Sequence, residues 1–185
     1  MSFRGPGVIT LPPDRGAIVG QQRLGVSWDE CRQYGDSVGD WPAFPDSAEA
    51  LAYLKQHYRL IVLSNVDNRS FAASNTRLGV TFDAVYTAED VGSYKPADAN
   101  FDYMLANLGA LGLAKADILH TAESMFHDHK PANRHGLASA WIYRRHSDEG
   151  FGATMHPGET PSYDFRFDSM AAMVSAHQQE MLGGQ

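Results

Sequence analysis

The sequence predicts an α/β protein in which helices cover both faces of a parallel sheet. Three observations predict it. Short, uninterrupted apolar runs recur at Leu60–Leu63, Phe82–Tyr86, Ile118–Ala122 and Ala138–Tyr143, as expected of strands buried on both faces. Segments of helical period lie between them. The connections are short and punctuated by glycine, at Gly79 and Gly136 among others. At 185 residues with 43% hydrophobic and 20% charged side chains, the chain suits one soluble domain with a real core.

Taken in order, residues 1–23 are broken by Gly5, Pro6, Gly7, Pro12, Pro13, Gly16 and Gly20, which leaves only Val8–Leu11 for a short strand. Ser27 followed by Glu30 reads as a capping box opening the helix SWDECRQYGDSV. The stretch DWPAFPDS is a Pro-punctuated connector. Ser47–Tyr58 is helical, with Ala48, Leu51, Ala52 and Leu54 on one stripe, and Leu60–Leu63 is the first buried strand. Helices follow at Asn68–Leu78, Asn100–Leu108 and Lys130–His135, alternating with the remaining strands. A loop is expected from His146 to about Phe165, and a last helix over Asp168–Leu182. The expected organisation is an irregular segment over 1–23, a helix and linker over 24–46, and a core over 47–185.

Composition narrows the function. A net charge of −7 with no basic run argues against non-specific nucleic-acid binding. Cys31 is the single cysteine, so no internal disulfide forms and a reducing compartment fits; its expected fate is that of a packed, inert thiol. No apolar stretch approaches the roughly 20 residues of a bilayer span, and the N-terminus has no apolar signal region. The expectation is a cytoplasmic protein that engages neither membrane nor nucleic acid.

Parallel sheets bind ligands beyond the carboxyl ends of their strands. That rule selects Ser64 and Asn65, then Glu89 and Asp90, then Ala122–Asp128. Ser64 and Asn65 lie between a strand and a helix start, where a hydroxyl and free N–H groups can hold an anion; the plainer reading is a small residue before a helix capped by Asp67 or Asn68. Lys95 is held extended by Pro96 and would fix a cation near the strand ends, unless it is an ordinary solvated lysine. Glu123 and Asp128, five residues apart, could share a hard cation such as Mg²⁺. His120, His127, His129 and His135 carry no accompanying Cys and match no paired-histidine spacing, so zinc is not the expected reading, and His127 and His129 are expected to pack or hydrogen-bond locally.

The order of these signals carries more than any one of them. LIVLSNVD, then GSYKPADANF, then HTAESMFHDHKPANRHGLASAWIYRR resemble the second, third and fourth motifs of the haloacid dehalogenase-like hydrolases, over roughly Gly25–Tyr143. The resemblance implies a Rossmann-like three-layer α/β/α core with a helical cap inserted in it. It implies an Asp nucleophile at the end of the first strand and a covalent intermediate that water hydrolyses. Carried over, Ser64, Asn65 and Ser124 would contact the substrate anion, Lys95 would neutralise charge, and Asp128, with Glu123, would orient groups or hold metal.

Two branches differ at the fourth motif. Phosphatases there resemble Gly-Asp-Ser-xxx-Asp and use Mg²⁺ through positions matching Glu123 and Asp128; 2-haloacid dehalogenases resemble Ser-Ser-Asn-xx-Asp and need no metal. Ser64-Asn65 and Tyr94-Lys95-Pro96 resemble the dehalogenase branch, whereas Glu123 resembles the phosphatases. The substrate expected on either branch is a small anion. The first motif has no clear counterpart: Pro12 follows Val8–Leu11 where the Asp belongs, and Asp14 comes two residues later. About 45 residues separate Asp14 from the second motif, where a full cap takes roughly 100. The chain thus reads as an amino-truncated relative with a vestigial cap over 24–46. Asp14 is the candidate for a displaced nucleophile, and three readings stay open: a haloacid-type hydrolase, a Mg²⁺-dependent phosphatase, or a non-catalytic anion-binding or assembly module from a truncated gene. Loss of the central strand would expose sheet edges, to be filled by Val8–Leu11 or by a second chain in a homodimer.

Overall fold

A computed structural model describes residues 27–145 and 156–183. Val8–Leu11, Asp14 and the side chain of Cys31 lie outside what is described. Helix α1 (Trp28–Asp36) opens as expected: Ser27 Oγ accepts from Glu30 N at 3.2 Å, and Ser27 N donates back to the Glu30 carboxylate at 2.7 Å. A single 3₁₀ turn, Ser37–Asp40, follows. Gly39 lies where an added Cβ would stand 3.3 Å from Ala73 Cβ, so a residue without a side chain lets this turn close on the next layer.

Helix α2 (Ser47–Leu54) buries Ala50 and Leu54 and stops before the expected Tyr58; irregular turns carry the chain to β1 (Ile61–Ser64). Asp67, not Asn68, caps helix α3 (Asn68–Leu78), accepting from Ser70 N at 2.8 Å. Gly79 closes that helix at φ 64°, in the left-handed region. Strand β2 (Ala84–Thr87) starts two residues later than the apolar run suggested and ends in Thr87. That residue is fully buried and forms a capping box with Asp90 for the short helix α4 (Ala88–Val91).

Helix α5 (Asp98–Ala110) presents Phe101, Met104 and Leu108 on one face, and these form the core with Ala132 and Leu137. Ile61, Leu63, Tyr86 and Ile118 pack against the same cluster. Strand β3 (Leu119–Ala122) leads into a wide turn, Met125–His129, and then helix α6 (Lys130–Arg134). Strands β4 (Ala138–Ile142) and β5 (Phe165–Phe167) and helix α7 (Met170–Gly183) complete the described chain.

All the strand pairings are parallel, with helices alongside, as the fold class requires. Among the described residues they fall into two sheets rather than one. β1 pairs β2 with Ile61 opposite Ala84 and Ser64 opposite Thr87. β4 lies between β3 and β5, with Leu119 opposite Ala138 and Ala140 opposite Phe165. Helix α5 packs against residues of both sheets and ties them together. The linker before α2 is fastened to the residues after β4 and to the start of α7: Arg144 donates to Asp46 at 2.9 Å and to Ser47 Oγ at 3.2 Å, lies over the Phe44 ring, and Asp46 also accepts from Ala171 N.

Candidate active site

The carboxyl ends of β1 and β3 bring Lys95 and Asp128 together. Lys95 is 9% exposed, and its ammonium donates to the carbonyl of Leu63 at 2.7 Å and to Asp128 Oδ1 at 2.6 Å. One side chain therefore joins the end of β1 to the turn after β3. An ammonium has three N–H donors, and among the described residues the third has no partner.

Asn65 explains how a lysine is held there. Its amide donates to Lys95 O at 2.9 Å and accepts from Lys95 N at 2.7 Å, so both ends of the amide clamp the backbone of the lysine. The Lys95–Pro96 peptide is cis. Ser64 is half-buried, and its hydroxyl has no hydrogen-bond partner among the described residues. Glu89 and Asp90 serve the neighbouring loops instead: Glu89 accepts from Asn68 N at 2.9 Å, and Asp90 accepts from Thr87 N at 2.9 Å and from the Asn68 amide at 2.9 Å.

The turn after β3 is built by its own side chains. Ser124 caps it, accepting from His127 N at 3.1 Å, with His127 Nδ1 also 3.1 Å from the hydroxyl. The backbone widens so that His129 N reaches Ser124 O at 3.2 Å, five residues back, a geometry frequent at functional sites. His129 is fully buried between Ala122 O and Ser139 Oγ, both at 3.1 Å. A carbonyl accepts only, so Nε2 carries the proton and Nδ1 accepts from the Ser139 hydroxyl. Burial lowers the pKa of both His127 and His129, which keeps them neutral. This is the local packing expected of these residues.

His120 has a larger part than its sequence position suggested. From β3 its Nε2 lies 3.2 Å from Asp128 Oδ1, the oxygen that also holds Lys95, while its ring rests on Phe101. Burial alone would push the Asp128 carboxyl up. The Lys95 ammonium and the His120 hydrogen bond outweigh it and hold that carboxyl well below the usual range. Glu123 behaves oppositely: burial and then the Asp128 charge raise its pKa, against Arg145 and Arg144. Its backbone carbonyl accepts from Trp141 Nε1 at 2.9 Å. The one sequence signal for His120 was its place two residues before the end of a strand that points at the site; its pairing with Asp128 depends on the wide turn, which has no sequence mark.

For a hard divalent cation, Asp128 Oδ1 is already engaged by an ammonium and an imidazole, and among the described residues no group of three or more His, Cys, Asp or Glu suited to a metal occurs.

The profile of the haloacid dehalogenase-like hydrolases matches residues 9–121, and the chain belongs to that family. No curated protein matches the chain. Solved structures share the fold. The HAD-hydrolase YfnB from Bacillus subtilis, bound to magnesium, superposes with a TM-score of 0.68 at 15% identity, over 96% of this chain and 73% of its own. The L-2-haloacid dehalogenase from Xanthobacter autotrophicus gives 0.66 at 19% identity, over 90% and 74%, and is also known with chloropropionic acid covalently bound. A HAD phosphatase from Thermococcus onnurineus gives 0.54 at 20% identity, over 89% and 85%. Likeness at these identities establishes the fold and leaves the reaction open.

Proposed function

We propose that this chain acts as a metal-independent hydrolase of the 2-haloacid type on a small organic acid. The observation that carries the reading is the buried Lys95 ammonium, fixed by Asp128 and by the carbonyl of Leu63, the residue before Ser64; among the described residues one ammonium N–H and the Ser64 hydroxyl have no partner. A hydroxyl donor and an ammonium suit a substrate carboxylate and the charge that develops as halide leaves. Asn65 acts in this reading as a positioning residue, since its amide is used on the Lys95 backbone. Asp128 is the counter-ion that holds Lys95 in place, and Ser124 shapes the turn that delivers Asp128.

The attacking carboxylate is assigned to Asp14, which lies outside the described residues. Its oxygen would form a bond to the carbon bearing halogen as halide departs with the bonding pair. Water would then cleave the ester to a 2-hydroxy acid and restore the carboxylate. Asp128 Oδ1 is already engaged by Lys95 and His120, which weighs against the phosphatase reading. The acidic charge and the single cysteine support placing the protein in the cytoplasm.

Turnover of 2-chloropropionate and of p-nitrophenyl phosphate, each with Mg²⁺ and with chelator, tests this on protein shown folded by circular dichroism. The expected result is chloride release indifferent to chelator and abolished in Asp14→Asn. Mg²⁺-dependent phosphate release would replace the proposal with the phosphatase reading. Binding of 2-chloropropionate without turnover would replace it with a non-catalytic anion-binding module.

A further inference from the structure

A second cluster of chemically capable side chains lies at the other end of the strands. Tyr53, on the last turn of α2, and His57, four residues on, face His177 of α7. Tyr53 Oη is 2.9 Å from His177 Nδ1. The His57 and His177 ring centres are 5.0 Å apart at 59°, and Tyr53 and Tyr58 flank them, with centres 4.7 Å from His57 and 5.3 Å from His177 respectively. His57 precedes β1, so the cluster sits at the amino ends of the strands, away from Lys95 and Asp128.

We propose that His57 and His177 form a binding site for a late first-row divalent transition metal, which joins α7 to the turn that follows α2. The spacing allows two imidazoles to share an ion. With a metal–nitrogen bond of about 2.0–2.1 Å, the ion stands about 3.2 Å from each ring centre, so the centres are about 5.2 Å apart at a tetrahedral angle and about 4.5 Å at a right angle. The observed 5.0 Å falls between these limits.

The nitrogens needed are available. Among the described residues neither nitrogen of His57 and not Nε2 of His177 has a hydrogen-bond partner. His177 Nδ1 is held by Tyr53, the arrangement in which the remote nitrogen of a ligating histidine is fixed by a neighbour. No third His, Cys, Asp or Glu joins the pair among the described residues, so water would complete the coordination. Imidazole ligands without carboxylates favour Zn²⁺, Ni²⁺ or Cu²⁺ over Mg²⁺ or Ca²⁺. The ion has structural work to do, because helix α7 packs on α2 without a single buried residue of its own.

Ni²⁺ titration of the full chain, by calorimetry and by paramagnetic broadening of the histidine ring protons, tests the site. Wild type is expected to bind Ni²⁺ with selective broadening of His57 and His177 and a raised thermal midpoint. His57→Ala and His177→Gln should each weaken binding at least tenfold; His57 is exposed, so its replacement leaves the fold intact. Tyr53→Phe should weaken it by a smaller factor, since it removes the group that orients His177. Mg²⁺ should bind none of these proteins at the cluster. Wild-type affinity in either histidine variant, or broadening centred on other histidines, would overturn the proposal. The test does not involve hydrolytic activity, so it stands or falls apart from the reading of the Lys95 site.

Discussion

Lys95 and Asp128 form a buried ion pair whose two members stand or fall together. Removing one partner leaves the other charged in a low-dielectric setting, which typically costs about 3–5 kcal/mol. Lys95→Met and Asp128→Leu should each destabilise the protein by about that much, while the double variant should lose well under the sum. Urea unfolding of the four proteins of this cycle measures the coupling; additive losses would show that the pair is not coupled. The same residues set the acid response. The Asp128 contribution is present in full above its unfolded pKa, about 4, and is lost as pH falls from there toward the lowered folded value. His129, whose folded pKa burial lowers, adds a loss that begins as pH falls below about 6.5. Glu123 has the opposite sign: its folded pKa is raised, so its ionisation costs stability as pH rises above about 4.3. Stability measured by urea titration between pH 7 and 3 should therefore fall with acid. Below about pH 4 the fall should be shallower in Asp128→Asn, and an unchanged slope there would remove Asp128 from the account.

At the scale of the element, α3 and the loops it touches show how local chemistry places the site. Asp67 opens the helix just beyond Ser64, and Gly79 ends it at φ 64°. A Cβ at Gly79 would meet nothing within 4 Å, so Gly79→Ala isolates the backbone strain and should cost about 1–2 kcal/mol by thermal or urea unfolding. A loss near zero would mean the helix end readjusts. These element ends were legible in the sequence because each rests on one residue type: Ser27 with Glu30, the acid before α3, the glycine after it. The start of β2, the one-turn helix α4 and β5 were not. Thr87 and Asp90 cap each other only because β2 delivers them, and Phe165–Phe167 becomes a strand by pairing with β4, a contact made 25 residues away in sequence. The wide turn after β3 was hidden for the same reason: His129 is drawn back onto Ala122 and Ser139 by tertiary contacts. That Lys95 and Asp128 lie near the strand ends was legible through motif order. The clamp by Asn65 and the part played by His120 were not, since both depend on how β1 and β3 approach Lys95.

For the whole molecule, the division of the described strands between two sheets makes a measurable difference. β4 is paired on both sides, whereas β1 and β3 are each paired on one side among the described residues. Amide exchange in β4 should be slower than in β1 by at least about a hundredfold. Equal protection would mean that the second edge of β1 is also paired, by another part of the chain or by another molecule. Either way, Lys95 spans the two sheets at their carboxyl ends, and the account rests on an anion meeting it there. The most direct test is a titration with 2-chloropropionate followed by backbone amide shifts, in wild type and in Lys95→Met. The account predicts shifts concentrated at Ser64–Asn68, Ser93–Lys95 and Glu123–Asp128, all lost in the variant. Shifts that survive the loss of Lys95, or that gather elsewhere on the fold, would contradict it.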